Sequence, residues 1–330
     1  MNKKYIVITG GAGFIGSNLV QYLNQKGIEN IIIVDHLTNE KWKNLIGKKF
    51  IDYIEKNKFL KLISEGPYGE NNKLPFEIEK CVHLGACTST IEKNVNYVIR
   101  NNFLYTKKLA EYCFSKGIYF IYASSAATYG NGENGFSDDE ENIFSLKPLN
   151  IYGFSKHLFD LIMVKNDLWR RNFCGLKFFN VYGPNEYHKG EMKSVINKMY
   201  YQIIENGYVT LFKSYRDDYK NGEQKRDFIY VKDVVDVIYF FLQNKKCGIY
   251  NVGTGKGESF NKVAEVLFTL LKKEKKIKYI DMPVEIRKNY QYFTEGNISK
   301  LRSAGYSKEF TSIEEGISDY LKYLENGIYE

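Results

Sequence analysis

The stretch Ile6-Val7-Ile8-Thr9-Gly10-Gly11-Ala12-Gly13-Phe14-Ile15-Gly16 runs from an apolar, β-branched segment through a glycine cluster into a segment of helical period. Gly10, Gly11, Gly13 and Gly16 satisfy both the G-x-x-G-x-x-G and the G-x-G-x-x-G spacing, in a strand-turn-helix context. Glycine is needed there because the turn demands unusual dihedrals, a pyrophosphate approaches the backbone closely, and the helix packs tightly on the strand. The helix N-terminus favours the anion. The turn therefore reads as one built to hold a dinucleotide. The competing reading is a glycine-rich turn that binds nothing.

Outward from this turn, apolar runs at Tyr5 to Thr9, Ile31 to Val34, Cys81 to Leu84, Tyr119 to Ser124 and Gly175 to Phe179 alternate with segments of helical period. Among those segments are Phe14 to Leu23, Tyr105 to Ser115 and Tyr152 to Trp169. Such alternation implies an α/β fold, a Rossmann-like, doubly wound parallel sheet with right-handed crossovers and helices on both faces. After about Gly183 the pattern loosens into a helix near Met192 to Ile204, a strand near Val209 to Phe212 and a polar loop from Tyr215 to Gln224. Residues 1–183 are thus expected to form the dinucleotide-binding domain, and 184–330 mainly a smaller mixed α/β substrate lobe. Asp227 to Val231, Val234 to Leu242 and Gly248 to Val252 read as strand-helix-strand elements returning to the main sheet.

At 330 residues and 44% hydrophobic, the chain can bury one large core plus a smaller lobe. The formal charge of +8 comes from lysines spread along the chain with no run of five like charges, which argues against nucleic acid and for a mild attraction to anionic substrates. The apolar run from Tyr5 is broken by Gly10 and Gly11 too early for a signal peptide. Val234 to Leu242 contains Asp236 and is too short for a bilayer. The expectation is a cytoplasmic protein with no membrane partner.

The five cysteines, Cys81, Cys87, Cys113, Cys174 and Cys247, are odd in number, lack CxxC spacing and mostly sit in apolar segments, as reduced core thiols do. Cys87 follows a strand end and is the one placed to approach a ligand. His36, His83, His157 and His188 are scattered, so no metal is expected.

Ser124 and Ser125 end a strand, and Tyr152 and Lys156 stand one helical turn apart with side chains on one face. An ammonium near the phenol would favour the phenolate and lower the tyrosine pKa from about 10, while a serine hydroxyl holds the substrate oxygen. With 28 tyrosines, a Tyr-x-x-x-Lys spacing arises by chance. Its position after Ser125 and a dinucleotide turn points to nicotinamide-dependent oxidation of a carbinol. Asp35 ends the second strand, where an acid accepts hydrogen bonds from an adenosine ribose and favours NAD. Lys41, Lys48, Lys49 and Lys56 follow, each either a solvated surface lysine or a partner for a 2′-phosphate, so NADP stays open on charge grounds.

These elements, with Tyr122-Ala123-Ser124-Ser125-Ala126-Ala127-Thr128-Tyr129-Gly130 and Phe179-Asn180-Val181-Tyr182-Gly183-Pro184, resemble the extended short-chain dehydrogenase/reductase superfamily over the whole chain. Four further blocks narrow the resemblance: His83 to Cys87, Glu186-Tyr187-His188-Lys189-Gly190, Lys225 to Val231 and Tyr290 to Thr294. In that order they are similar to the ADP-L-glycero-D-manno-heptose 6-epimerase family. The resemblance implies that NADP takes hydride from C6″ of the ADP-bound heptose and returns it to the opposite face. It implies Tyr152 and Lys189 as two proton-transfer groups, although from composition alone Lys189 is a surface lysine in a loop.

By the same resemblance Ser125 and Lys156 assist catalysis. The cofactor meets Gly10, Gly13, Phe14, Ile15, Gly16, Asp35, His36, Lys41, Lys56, Asn101, Lys156, Val181 and Lys189. It also meets Leu84, Gly85, Ala86, Cys87 and Thr88, with Leu84 offering no side-chain hydrogen bond. Substrate contacts fall to Ser125, Asn180, Glu191, Lys198, Phe212, Lys213, Ser214, Tyr215, Arg226 and Tyr290, with Arg226 suited to clamp a phosphate. The resemblance further implies a homopentamer and a role in lipopolysaccharide core biosynthesis. Two other readings stand beside it: another nucleotide-sugar enzyme such as a UDP-hexose 4-epimerase using Tyr152 alone, and a catalytically silent NAD(P)-binding regulator.

Overall fold

Strand β1 (Lys4–Thr9) buries Ile6, Val7 and Ile8 and delivers the chain to Gly10, from which α1 (Phe14–Gln25) departs. The computed structural model describes residues 4–38, 40–64, 74–90, 92–167, 170–287 and 290–329. The first half continues with β2 (Ile31–Asp35), β3 (Asp52–Glu55), α2 (Lys56–Ile63), β4 (Glu77–His83), α3 (Val95–Val98), α4 (Tyr105–Ser115), β5 (Tyr119–Ser125), α5 (Ile151–Lys165) and β6 (Phe173–Phe178). Then come β7 (Asn180–Tyr182), α6 (Val195–Asn206), β8 (Val209–Phe212), β9 (Lys225–Tyr230), α7 (Val231–Asn244), β10 (Gly248–Val252) and β11 (Gly257–Ser259). The chain ends with α8 (Phe260–Leu270), β12 (Ile277–Ile280), α9 (Val284–Arg287), α10 (Ser299–Ser303) and α11 (Ile313–Asn326). Leu168 and Trp169, the end of the helix expected to reach Trp169, lie outside the described residues.

The central sheet has seven parallel strands in the order β10-β6-β5-β4-β1-β2-β3, the doubly wound arrangement that the alternating pattern predicts. Its central strands read as unbroken apolar runs because both faces are covered. On one face α1 and α7 pack Leu19, Leu23, Val234 and Ile238; on the other, Phe59, Leu109, Phe159 and Met163 come from α2, α4 and α5. The strand order turns back between β1 and β4, so a crevice opens at their carboxyl ends. Gly10 and Gly85 face each other there. A Cβ on Gly10, which has φ +70°, would lie 2.6 Å from the Gly85 nitrogen, so only glycine permits this approach.

The strand expected at 227–231 begins at Lys225 and does not return to the main sheet. It pairs in parallel with β7 and antiparallel with β11 in a separate three-stranded sheet. An apolar run fixes a strand but not the sheet it joins. Strand β10 does return, beside β6. The helix expected from Met192 begins three residues later because Ser194 caps it, accepting from the Asn197 amide at 3.2 Å. Helices α6, α8 and α11 close a second core over β7 and β9 with Ile196, Ile203, Leu267, Ile317 and Tyr320. Among the described residues no helix is long and apolar enough to cross a membrane.

Candidate active site

Two clefts share Gly10, Lys41, Gly85, Ala86, Thr88, His188 and Lys189, and so form one groove across the carboxyl ends of β1 and β4. The first, about 260 Å³, is also lined by Gly13, Phe14, Ile15, Gly16, Leu84, Ser125, Tyr152, Lys156 and Val181. The second, about 470 Å³, adds Asp35, His36, Lys56, Cys87 and Asn101. Every cofactor residue expected from the sequence thus lies on this groove.

At its far end Asp35 is buried and its carboxylate is engaged. The Ala12 amide donates to Oδ2 at 2.9 Å, the His36 amide to Oδ1 at 2.6 Å, and Lys41 pairs with the same Oδ1. Lys56 Nζ donates to Asn101 Oδ1 at 2.8 Å, with Asn101 on a π-helical turn, Ile99–Leu104, between α3 and α4. Such turns often mark functional sites, and composition gives no sign of one. A glycine cradle, a helix N-terminus and an acid flanked by two lysines fit an adenine dinucleotide.

At the near end, Asn150 caps α5 by accepting from the Gly153 amide at 2.8 Å, which sets Tyr152 and Lys156 on the face toward β5. Gly153 is required because a Cβ there would sit 2.6 Å from the Ala127 carbonyl oxygen, in the turn that follows Ser125. Burial raises the Tyr152 phenol above its ordinary range, opposed by a hydrogen bond from Ser125. The expectation that Lys156 pulls the phenol below about 10 is therefore not met. Lys156 Nζ instead donates to the Ala123 carbonyl at 2.8 Å, and burial depresses its pKa to about 8, against a pull upward from Asp160.

Lys189 enters from a 3-10 turn, Tyr187–Met192, its ammonium 5.1 Å from the centre of the Phe14 ring. Burial lowers its pKa and Glu186 raises it. His188 is held down to about 4 by burial, Lys41 and Lys189, so its ring is neutral at pH 7. Asn44 fastens this turn to the glycine loop: its Nδ2 donates to the carbonyls of Ala12 and Asn185 at 3.0 and 3.2 Å and lies 3.2 Å from His188 Nδ1.

The residues expected around a substrate line neither cleft, apart from Ser125. Phe212, Tyr290 and Arg226 form one stack, with the Arg226 guanidinium 5.4 Å from the Tyr290 ring and Phe212 edge-on to it. Lys213 and Tyr215 meet at Asp281, at 3.2 and 2.8 Å, and Ser214 Oγ donates to the Arg216 carbonyl at 3.0 Å. Glu191 is exposed and pairs at 3.3 Å with Lys198, which is half-buried. Asn180 is exposed at the start of β7.

Sequence reading passed over a buried charge pair beneath α5. Lys177 on β6 and Asp160 on α5 are both fully buried, 2.5 Å apart, and Asp160 also accepts from Tyr122 and Ser124 at 2.9 and 2.7 Å. Two signals pointed to it: a lysine inside the apolar strand Phe173–Phe178, and an acid one turn beyond Lys156. Replacing Lys177 by Met strands the Asp160 charge and is expected to cost about 3–5 kcal/mol in chemical denaturation. A loss under about 1 kcal/mol, the scale of an exposed pair, would contradict this reading.

The model of the NAD dependent epimerase/dehydratase family matches residues 6–253. An ADP-L-glycero-D-manno-heptose-6-epimerase of Nitratidesulfovibrio vulgaris is 48% identical over 318 residues, 96% of each chain. A protein of the same name from Fusobacterium nucleatum is 48% identical over 327 residues, covering 96% of this chain and 97% of its own. The crystal structure of the Helicobacter pylori ADP-L-glycero-D-manno-heptose-6-epimerase superposes with a TM-score of 0.80 at 29% identity, covering 98% of this chain and 97% of that one.

Proposed function

The chain belongs to the NAD dependent epimerase/dehydratase family, and from that premise we propose that it interconverts ADP-D-glycero-β-D-manno-heptose and ADP-L-glycero-β-D-manno-heptose by inversion at C6″. The observation that carries this reading is the meeting of Ser125, Tyr152, Lys156 and Lys189, from three separate segments, in one cleft beside the glycine turn. A bound nicotinamide dinucleotide supplies the acceptor and later the donor of the hydride. Inversion through a C6″ ketone requires a proton to leave the hydroxyl in one half-reaction and to return on the other face in the second, so two proton-transfer groups are useful.

Tyr152 and Lys189 take those roles. Burial acts on both and favours the neutral form of each, a phenol that can donate and an amine that can accept. The resting pair is thereby biased toward one acid and one base. Ser125 holds the substrate oxygen, and Lys156, anchored to Ala123, serves the cofactor ribose. Residues 1–183 carry most of the cofactor contacts and 184–330 most of the substrate contacts, with the Arg226, Tyr290 and Phe212 stack receiving the nucleotide end of the sugar.

NADP is the proposed cofactor, because the Asp35 carboxylate is already engaged by Lys41 and two amides while Lys56 stands on the same cleft. Lys41→Ala is expected to weaken NADP binding in titration calorimetry by more than it weakens NAD binding; equal losses would reject the 2′-phosphate contact. Assembly as a homopentamer, a cytoplasmic location and a role in lipopolysaccharide core synthesis complete the proposal on family resemblance. Its direct test is to incubate the protein with ADP-D-glycero-D-manno-heptose and resolve the two C6″ epimers chromatographically. No second epimer, with NADP bound, would reject the reading in favour of a silent dinucleotide-binding module.

A further inference from the structure

Glu186 stands out among the groups that the proposed mechanism leaves unused. It is fully buried, three residues before Lys189, and its carbonyl accepts from the Lys189 amide at 3.0 Å. Its carboxylate accepts from the Ser194 amide at 2.5 Å, from Ser194 Oγ at 2.6 Å and from the Tyr320 hydroxyl at 3.0 Å. Ser194 caps α6 and Tyr320 belongs to α11, so one side chain ties the Lys189 turn to two helices of the second core. A buried carboxylate costs free energy unless it is hydrogen-bonded and faces positive charge. Three donors meet the first condition and Lys189 the second.

We propose that Glu186 is a positioning residue for Lys189, fixing the turn that carries it and placing a negative charge where it opposes the loss of the Lys189 proton. The inference rests on the reading of Lys189 as a proton-transfer group. Charged and titratable groups face this turn from several elements. Asp35 at the end of β2 and Lys41 beyond it act on His188, and Glu186 acts on Tyr187, as does Tyr201 from α6. Tyr320 faces it from α11, and Tyr152 and Lys156 share the cleft from α5. Among these, Glu186 is the acid that acts on Lys189 and opposes the effect of burial. Lys189 in turn favours the Glu186 carboxylate, whose pKa burial raises.

The sign follows directly. Removing the carboxylate charge leaves burial unopposed, lowers the Lys189 pKa further and moves the Lys189 limb of the kcat profile to lower pH, whether that limb reports an acid or a base. Glu186→Gln keeps the size of the side chain and part of its hydrogen bonding. Its expected kcat loss falls well short of the about 10²–10⁴-fold tied to a proton-transfer group, and the limb shifts downward. In a Lys189→Met background the same change has no further effect on the profile.

A limb that stays in place in folded Glu186→Gln overturns the inference, and so does an equal kcat loss with and without Lys189. Full activity in Lys189→Met alone overturns the Lys189 reading itself, a separate outcome. Should Glu186→Gln fail to fold, Tyr320→Phe weakens the hold on the carboxylate from another helix and is expected to move the same limb the same way by less. No movement there counts against the proposal.

Discussion

Tyr152→Phe is expected to lower kcat for C6″ epimerisation by about 10²–10⁴-fold, the range tied to loss of a general acid-base group, with folding and dinucleotide affinity retained. The ring stays, so packing beside Gly153 and the Ser125 turn is preserved. What goes is the hydroxyl, which burial holds in its protonated form and Ser125 meets with a hydrogen bond. Because the phenol pKa lies above its ordinary range, the phenol is the donor in the resting site. The variant should therefore fail at whichever half-reaction needs a proton from that face. Product formation followed by chromatography, alongside a thermal melt and a dinucleotide titration, checks this. A kcat within about tenfold of the parent, less than one such group contributes, would remove Tyr152 from the chemistry.

Lys189→Met should be as damaging, about 10²–10⁴-fold in kcat, and it separates this activity from a 4-epimerase that needs only the tyrosine. Methionine keeps most of the length and the apolar stem while removing the amine that lies over Phe14. The loss should appear in kcat more than in KM, since the amine is needed where the proton moves and not for holding the nucleotide. Unchanged heptose epimerisation by this variant would reject the two-group scheme. A rise in KM with kcat unchanged would reassign Lys189 to binding.

Much of this architecture was legible because the decisive signals are local. The glycine turn, the acid at Asp35 and the Tyr152 to Lys156 spacing each lie within one element or one turn, where spacing alone fixes the face a side chain occupies. What escaped depends on contacts between distant segments. Asp160 and Lys177 come from a helix and the following strand, and neither declares its partner. Glu186 meets Tyr320 at a separation of 134 residues, so its role is set by the docking of the final helix. The direction of the Tyr152 pKa was not legible because burial outweighs the Ser125 hydrogen bond at a site walled by β5 and α5, and burial is a tertiary quantity. Lys189 was legible only through the resemblance, since its loop carries no period that distinguishes a cleft lysine from a solvated one.

The central claim is that the hydrogen removed from C6″ is the one handed back. Incubating the enzyme with ADP-heptose carrying deuterium at C6″ in ordinary water, to epimeric equilibrium, and weighing both epimers by mass spectrometry tests this directly. Both should retain the full label. Epimers that have lost deuterium to solvent would contradict the account, since the carbon would then have been inverted by proton exchange and not by a hydride held within the groove.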